Sequence, residues 1–183
     1  MKIELKNFKH AAFASQETLC FNATVYVDGK RMFEASNSGN GECNRVVPLK
    51  GCSSADLQRV SDWIASQPKI KIQGDKEIDD DIDFFISRLA NREVMKKGIK
   101  RLLRKSVVIC TADSGQDGLT GLKLKPKDLN DANRVRIKEV YPKCLIVNDL
   151  DIEQALDLYM ATDEISSGKT VAEVYQEIWS QLH

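Results

Sequence analysis

Every second residue from position 19 to position 27 is apolar, which is the period of a half-buried β-strand. Asp28-Gly29 follows and provides the turn residues of a β-hairpin. Two registers are open, because a two-residue loop pairs Ala23 with Glu34 and a three-residue loop pairs Ala23 with Phe33. The three-residue loop keeps one face apolar and is therefore the predicted register. It places four side chains inward: Phe21, Ala23, Phe33 and Ala35.

Helical spacing of apolar residues predicts most of the remaining elements. Ser53 or Ser54 caps a first helix that Pro68 ends, and a longer helix begins near Asp79 and passes Gly98, which marks a candidate break. A capping box of Thr170 and Glu173 starts the last helix. Strands are expected at residues 69–73, 107–112, 122–125 and 144–147, and further helices at residues 127–141, 151–162 and 170–182, the last two forming an αα-hairpin.

These elements predict an α+β fold with an N-terminal antiparallel sheet and a mostly helical second half. The 183 residues are expected to form a single domain, with sub-lobes at 1–50 (a β-meander), 51–148 (mixed) and 149–183 (a helix pair). The N-terminus intersperses charges with apolar residues, and no apolar run approaches the length of a bilayer span. The sequence therefore predicts a cytoplasmic protein without membrane contact.

The hairpin leads into a loop of small and polar residues, SNSGNGECN, at positions 36–44. Within residues 18–44, the apolar strand, the VDGK turn, the SNSG segment and the CN pair resemble the N-terminal part of a family of small proteins from tailed bacteriophages and prophages. Weaker similarity extends over residues 84–105 and 136–148. A Gly usually precedes the Cys in that family, whereas Glu42 stands here. The family's motifs carry no assigned activity, so the resemblance implies a mobile-element origin and a bacterial host cytoplasm.

Cysteine and histidine positions give little support for metal or nucleophilic chemistry. Five cysteines at irregular spacing predict reduced thiols, with those in apolar runs acting as small hydrophobic residues. The histidines, His10 and His183, lie at opposite ends of the chain, so no histidine base is expected beside a nucleophile. The acidic cluster at residues 79–83 suits the start of a helix better than a metal site. No metal and no cofactor is predicted.

Three loops resemble ligand-binding motifs but depart from them. The glycines at 39 and 41 precede a predicted strand, whereas a dinucleotide loop precedes a helix. Residues 113–118 resemble half of a calcium loop, but Gly115 and Leu124 stand where ligands are needed. The GKT sequence at 168–170 lacks the first glycine of a phosphate-binding loop, since Asp163 stands there, and follows a helix instead of a strand. The sequence favours structural roles for all three.

Charge is segregated along the chain although the formal net charge is zero. Residues 92–143 contain 14 Lys or Arg and 6 Asp or Glu, a net charge of +8, whereas residues 149–183 contain 1 and 8, a net charge of −7. The two regions either face one another, form solvated surfaces or bind partners. The candidate binding residues are polar side chains of the loop and of the basic region: Asn37, Asn40, Asn44, Lys96, Lys97, Lys100, Arg101, Arg104, Lys105, Lys123 and Lys125.

Three functions are compatible with these patterns. The favoured hypothesis is a phage- or prophage-encoded module that binds and inhibits a bacterial host protein, for example in a defence system, with the acidic helix pair as a mimic of nucleic acid. The alternative is nucleic-acid binding through the basic region 92–143. The third is an enzyme acting on nucleotides at the loop of residues 37–44, and it is less favoured because a convergent catalytic set is missing from the sequence. Homo-oligomer formation is left open.

Overall fold

The computed structural model describes residues 1–72, 76–111, 118–162 and 169–182. The calcium-like loop before Gly118, the linker of residues 166–168 and His183 lie outside these ranges. The α+β class is confirmed, since a four-stranded antiparallel sheet is followed by helices, a further small sheet and a C-terminal helix. The chain divides into two compact units, residues 1–94 and 95–183.

The first unit is built on a four-stranded antiparallel sheet of order β1-β2-β3-β4. It also contains a helix, the first part of a second helix and a two-stranded antiparallel sheet of β5 and β6. The element bounds are β1 (Ile3–His10), β2 (Phe21–Val27), β3 (Lys30–Asn37), β4 (Arg45–Pro48), α1 (Ser54–Ala65), β5 (Ile70–Ile72), β6 (Lys76–Ile78) and α2 (Ile82–Lys105), with a short 3₁₀ turn at Ala12–Ala14.

The predicted three-residue turn between β2 and β3 is wrong. Asp28 and Gly29 form a two-residue turn with φ angles of 49° and 80°, and Val27 pairs with Lys30. Positive φ at both turn positions matches the right-handed twist of the strands, and Asp-Gly is a preferred pair for this turn.

A β-bulge near the turn then changes the register. The shift lies between Val25 and Tyr26, so that Met32 is an extra residue on β3 and Val25 pairs with Phe33. The bulge buries Met32 and Phe33 together and restores the apolar face further along the strands. The four side chains predicted to face inward are buried as expected: Phe21, Ala23, Phe33 and Ala35.

The inward face of this sheet forms one hydrophobic core with the two helices of the unit. Val60 and Ile64 of α1 and Ile86 and Ala90 of α2 belong to the same buried cluster as the strand residues. Ser53 caps α1 through a capping box with Asp56, as the sequence predicts.

The acidic residues before α2 set the start of that helix. The Asp81 carboxylate accepts a hydrogen bond from the Phe84 backbone N–H at 2.7 Å, so Asp81 acts as the N-cap. Asp80 is buried and forms an ion pair with Arg88. Burial raises the pKa of Asp80, and the neighbouring guanidinium opposes that effect only in part. The cluster therefore organises the helix start, in agreement with the sequence interpretation.

The α2 helix continues through Gly98 without the candidate break. A Cβ atom at this position would lie 3.2 Å from the hydroxyl oxygen of Tyr159, which packs against the helix. The glycine therefore permits close packing, and the local preference for a break is overridden by tertiary contacts.

The second unit is centred on a three-stranded antiparallel sheet of order β8-β7-β9 with helices on both faces. Val108 and Cys110 of β7 face a core shared with Ile99 of α2 and the two C-terminal helices, whereas Val107 and Ile109 face Ile137 of α3. The element bounds are β7 (Val107–Cys110), β8 (Leu119–Leu122), α3 (Asp131–Val140), β9 (Leu145–Ile146), α4 (Ile152–Ala161) and α5 (Val171–Leu182), with 3₁₀ turns at Pro126–Asp128 and Val147–Asp149.

The predicted helix over residues 127–141 is divided. Pro126–Asp128 forms a 3₁₀ turn, and α3 begins only after Asn130, whose side chain accepts a hydrogen bond from the Asn133 backbone N–H. The pairing of the two C-terminal helices is confirmed, since Ala155 and Leu156 of α4 share a buried core with α5. Among the described residues, no helix combines the length and the apolar character needed to cross a membrane.

Candidate functional site

Asn37, the first candidate residue of the loop, is buried and hydrogen-bonded within the loop. Its side-chain oxygen accepts hydrogen bonds from Thr18 Oγ1 and from the Gly39 backbone N–H, both at 2.8 Å. Its amide nitrogen donates to the Glu42 carbonyl at 2.8 Å and to Asn44 Oδ1 at 3.2 Å. With two donors and two acceptor sites used, this side chain fastens the loop and has no capacity left for a ligand.

Asn44 connects the same loop to the first turns of α2. Its backbone N–H donates to the Asp83 carboxylate at 2.7 Å, and its amide donates to the Asp83 carbonyl and to Ser87 Oγ at 2.9 and 2.8 Å. Asn40 differs, because it is exposed and donates to Ser38 Oγ at 3.0 Å within the loop tip. Of the three predicted asparagines, two are therefore structural and one is accessible.

The glycines of the loop do not form an open phosphate cradle. The backbone N–H groups of Gln16, Glu17 and Thr18 all point at the Gly39 carbonyl oxygen, at 3.0, 2.9 and 3.3 Å. Successive N–H groups of this kind bind anions when their centre is vacant, but here a carbonyl occupies it. Gly39 has a φ of 91°, and a Cβ there would lie 2.1 Å from the Ala14 carbonyl oxygen.

One expectation about catalytic groups is wrong, because a histidine does lie beside a hydroxyl. His10 Nε2 is 3.2 Å from Ser15 Oγ, and Ser15 lines a cavity of about 520 Å³ next to the loop. The Ser15 hydroxyl donates to the Ala11 carbonyl at 3.0 Å and accepts from the Cys20 backbone N–H at 2.9 Å. The donor in the contact between His10 and Ser15 depends on the histidine tautomer. Through its bonds to the Ala11 carbonyl and the Cys20 N–H, the Ser15 hydroxyl has a structural role in the turn after β1.

The environments of three cysteines oppose thiolate chemistry. Burial raises the pKa of the Cys110 thiol to about 11, and burial also raises the pKa of Cys144. Cys43 is exposed, but its hydrogen bond with the Asp83 carboxylate raises its pKa as well. Thiols with raised pKa values are poor nucleophiles at neutral pH. Within the described ranges, no three His, Cys, Asp or Glu side chains are grouped so that they could hold a metal ion.

The basic candidates behave differently, because most of them share one exposed face of α2. At about 100° per residue, Lys97, Lys100, Arg101, Arg104 and Lys105 fall within an arc of about 140°. All five side chains are exposed, whereas Met95, Ile99, Leu102 and Leu103 on the opposite side pack into the core of the unit. We call these five residues the cationic face. Four of them, Lys100, Arg101, Arg104 and Lys105, make no ion pair with any residue that the structure describes.

The remaining basic candidates are not members of that face. Lys96 is half-buried and forms an ion pair with Glu153, so its charge is compensated within the unit. Lys123 and Lys125 are exposed on the segment between β8 and the 3₁₀ turn. The structure therefore groups five of the eight basic candidates on one helix face, whereas Lys96 is paired with Glu153 and Lys123 and Lys125 belong to another segment.

A groove of about 510 Å³ adjoins the cationic face. Lys100, Arg104 and Leu103 of α2 form one side, and Pro126 and Leu129 form another. Arg134 and Asp149 complete the lining together with Asn148.

The polar groups of that lining are held by hydrogen bonds. Arg134 donates to both oxygens of the Asp149 carboxylate at 3.0 and 2.9 Å, which raises the pKa of this arginine. Asn148 donates to the carbonyls of Leu103 and Ser106 and accepts from the Val108 N–H. Neither Arg134 nor Asn148 was singled out from the sequence, because their partners are distant in the chain.

Several acidic residues of the second unit are engaged within the fold. Asp149 binds Arg134, Glu153 binds Lys96, Asp151 caps α4 and Glu173 closes the capping box with Thr170. Glu177 forms an ion pair with Lys169, and it raises the pKa of this lysine with smaller contributions from Asp157 and Glu173. The acidic and basic regions therefore pair in part, and Lys100, Arg101, Arg104 and Lys105 stay exposed without an ion pair to the described residues.

Comparisons of the chain with protein-family models, with curated proteins and with solved structures found no match. The phage-family resemblance of residues 18–44 thus stays a prediction.

Proposed function

We propose that the second unit binds the phosphate backbone of nucleic acid through the cationic face. The observation that carries this proposal is the row of exposed cations on α2, four of which lack an ion-pair partner among the described residues. Lys97 and Lys105 are eight positions apart, so the face is about 12 Å long at the helical rise of 1.5 Å per residue. A row of this length suits several successive phosphates of one strand.

The position of the cations is also favourable for the free protein. The cationic face ends at the C-terminus of α2, where the partial negative charge of the helix dipole stabilises positive side chains. Lysine and arginine can therefore accumulate here without an acidic partner. Binding to a polyanion would release condensed counterions, which is the main source of sequence-independent affinity for nucleic acids.

The test is an electrophoretic shift assay on single and double strands over a salt series. If the four cations without ion-pair partners each neutralise one phosphate, the plot of log K against log salt has a slope of about −3.6 on duplex and about −2.8 on single strands. Alanine at Lys100, Arg101, Arg104 and Lys105 together is expected to weaken binding by about a hundredfold or more. Absence of binding at low salt would refute the proposal.

A matched control removes the same charge from the first unit. Lys9, Lys30, Arg31 and Lys50 are all exposed, and their combined replacement by alanine also lowers the net charge by four. This variant is expected to keep most of the affinity, since its changes lie outside the cationic face. An equal loss in both variants would indicate that net charge alone, and no particular surface, controls the binding.

The host-directed function stays a prediction with its own test. It rests on the resemblance to phage proteins and places the protein in the bacterial cytoplasm, bound to a host protein. The partners of the acidic side chains on α4 and α5 weigh against nucleic-acid mimicry by these helices. Repeated recovery of one stoichiometric bacterial partner from infected cells would support it. The nucleotide-enzyme alternative is tested by mass analysis of a nucleotide pool after incubation with the protein.

A further inference from the structure

The groove beside the cationic face has the composition of a site for one unstacked nucleotide. Its volume of about 510 Å³ lies within the range of small-ligand pockets. Lys100 and Arg104 belong both to the cationic face and to the groove, so a strand that follows the face passes the groove. We infer that the protein binds single-stranded nucleic acid, with its phosphates on the cationic face and one base in this groove. The inference rests on the proposed function and specifies its ligand.

The groove lining contains the two kinds of group that a nucleotide needs, cations for its phosphate and apolar side chains for its base. Lys100 and Arg104 provide cationic groups on the α2 side, where a phosphate would lie. Leu103, Pro126 and Leu129 provide an apolar surface beside them. A base that is paired and stacked inside a duplex cannot reach that surface, whereas an unstacked base can cover it. The apolar part therefore contributes to the binding of single strands only.

The surroundings of α2 also argue against insertion of this helix into the major groove of a duplex, which is a common mode of DNA binding. A helix with its side chains is about 10–12 Å across, and it fills a major groove that is about 12 Å wide. Pro126 and Leu129 line the same groove as Lys100 and Arg104, so another segment of the chain runs beside this flank of the helix. A helix with one flank covered in this way has less room in a major groove than a helix with both flanks free. A flexible single strand can instead follow the surface.

The acidic wall of the groove is compatible with this ligand because its charge is compensated. Asp149 is held by two hydrogen bonds from Arg134, and the pair is neutral overall. A neutral pair next to the free cations of Lys100 and Arg104 leaves the groove positive, which favours a phosphate.

The first experiment compares single and double strands of one sequence. Fluorescence anisotropy is measured with the full chain and labelled oligonucleotides of about 16 nucleotides, as DNA and as RNA, at one low salt concentration. Burial of one base is expected to make the single strand bind about tenfold more tightly than the duplex. The tighter of the two single strands identifies the preferred backbone. Equal or tighter binding of the duplex overturns the inference, whereas no binding of any strand refutes the proposed function itself.

A second experiment fills the groove. Leu129→Trp is expected to weaken single-strand binding about tenfold and to leave duplex binding unchanged, because the cationic face is retained. Val135→Trp on α3 is the control, since Val135 is 59% exposed and is not part of the groove lining. Single-strand affinity that is unaffected by Leu129→Trp contradicts the inference.

A third measurement uses the wild-type chain and does not depend on the folding of the tryptophan variant. An oligonucleotide with 2-aminopurine in its central positions is titrated with the protein. Because this base becomes more fluorescent when it leaves the stack, an increase on binding is expected. Binding without that increase would show that the bases stay stacked, and the groove assignment would be wrong.

Discussion

The loop of residues 37–44 and the cationic face of α2 are both rich in polar side chains. In the loop, key polar side chains bond other groups of the protein, whereas on α2 they are exposed to solvent. In the loop, Asn37 and Asn44 direct their amides to neighbouring backbone and side-chain groups. On α2, Lys100 and Arg104 extend into solvent at the edge of a groove. The first arrangement stabilises the fold and the second is available to a partner. The hydrogen bonds that a polar residue makes, and not its type, separate the two roles.

The largest effect is expected from Gly39→Ala in the loop. The new Cβ would meet the Ala14 carbonyl at 2.1 Å, at a φ of 91° that alanine disfavours, so we expect a loss of roughly 4 kcal/mol in the free energy of unfolding. Gly29→Ala is the control, because φ is also positive there but no described atom lies within 4 Å, and roughly 1 kcal/mol is expected. Chemical denaturation measures both. Equal losses of stability in the two variants would mean that the close contact between Gly39 and the Ala14 carbonyl does not stabilise the loop.

Replacement of Asn37 by alanine is the next most severe change. It leaves the Glu42 carbonyl, the Gly39 N–H and the Thr18 hydroxyl without their partner, and we expect a loss of roughly 3 kcal/mol. Asn40→Ala, at the exposed tip of the same loop, is expected to stay within about 0.5 kcal/mol of wild type. Neither variant should change the affinity for nucleic acid. If folded Asn37→Ala protein binds nucleic acid more weakly than wild type, the assignment of a purely structural role to the loop is contradicted.

Two arginines that line the same groove allow a direct test of the difference between a structural and an available polar side chain. Arg134 is bound to Asp149, whereas Arg104 is exposed and has no ion pair in the described part of the chain. Arg104→Ala is expected to weaken nucleic-acid binding about fivefold with an unchanged melting temperature. Arg134→Ala is expected to lower the melting temperature, because Asp149 and the Leu129 carbonyl lose their donor. A lower melting temperature for Arg104→Ala, together with weaker nucleic-acid binding only for Arg134→Ala, would contradict these assignments.

The smallest expected effect concerns Cys43 at the end of the loop. Its pKa is raised by the hydrogen bond and the charge of Asp83, so less thiolate is present at pH 8 than for an ordinary cysteine. Asp83→Asn removes the charge and is expected to lower that pKa and to increase alkylation by iodoacetamide at pH 8 a few-fold. Mass spectrometry of the Cys43 peptide measures the rate, with Cys20 and Cys52 as internal references. An unchanged rate would show that Asp83 does not control this thiol.

The parts of the fold that depend on local interactions were predictable from the sequence. Ser53, Asp81 and Thr170 act within the first turn of their own helices, so their positions indicate where the helices begin. The register of β2 and β3 was not predictable, because the bulge at Met32 is selected by the packing of two side chains against distant helices. The continuity of α2 at Gly98 likewise depends on Tyr159, which is 61 positions further along the chain.

The candidate site was predictable to a similar extent. The lysines and arginines of the cationic face are close together in the sequence. Their helical spacing puts them on one side of α2. The structural role of Asn37 could not be predicted, since its partner Thr18 is 19 positions away. The sequence does not show whether the side chain of a loop asparagine is hydrogen-bonded within the protein or exposed. The groove combines residues from four separate segments, so only the folded chain reveals that Lys100 lies beside Leu129.

The three hydrogen bonds of Asn148 have a consequence for how this chain tolerates changes in length. One side chain holds the carbonyls of Leu103 and Ser106 at the end of α2 and the N–H of Val108 in β7. A single residue inserted between positions 103 and 108 would move at least one of these groups out of reach. The Asp28-Gly29 turn is held in a similar way by the distant Lys2, since the Asp28 N–H donates to the Lys2 carbonyl at 2.8 Å and the Asp28 carboxylate accepts from the Lys2 N–H at 2.7 Å. An affinity tag or a fluorophore-bearing peptide is therefore best kept out of both places, and the junction of α2 and β7 should be kept at its present length.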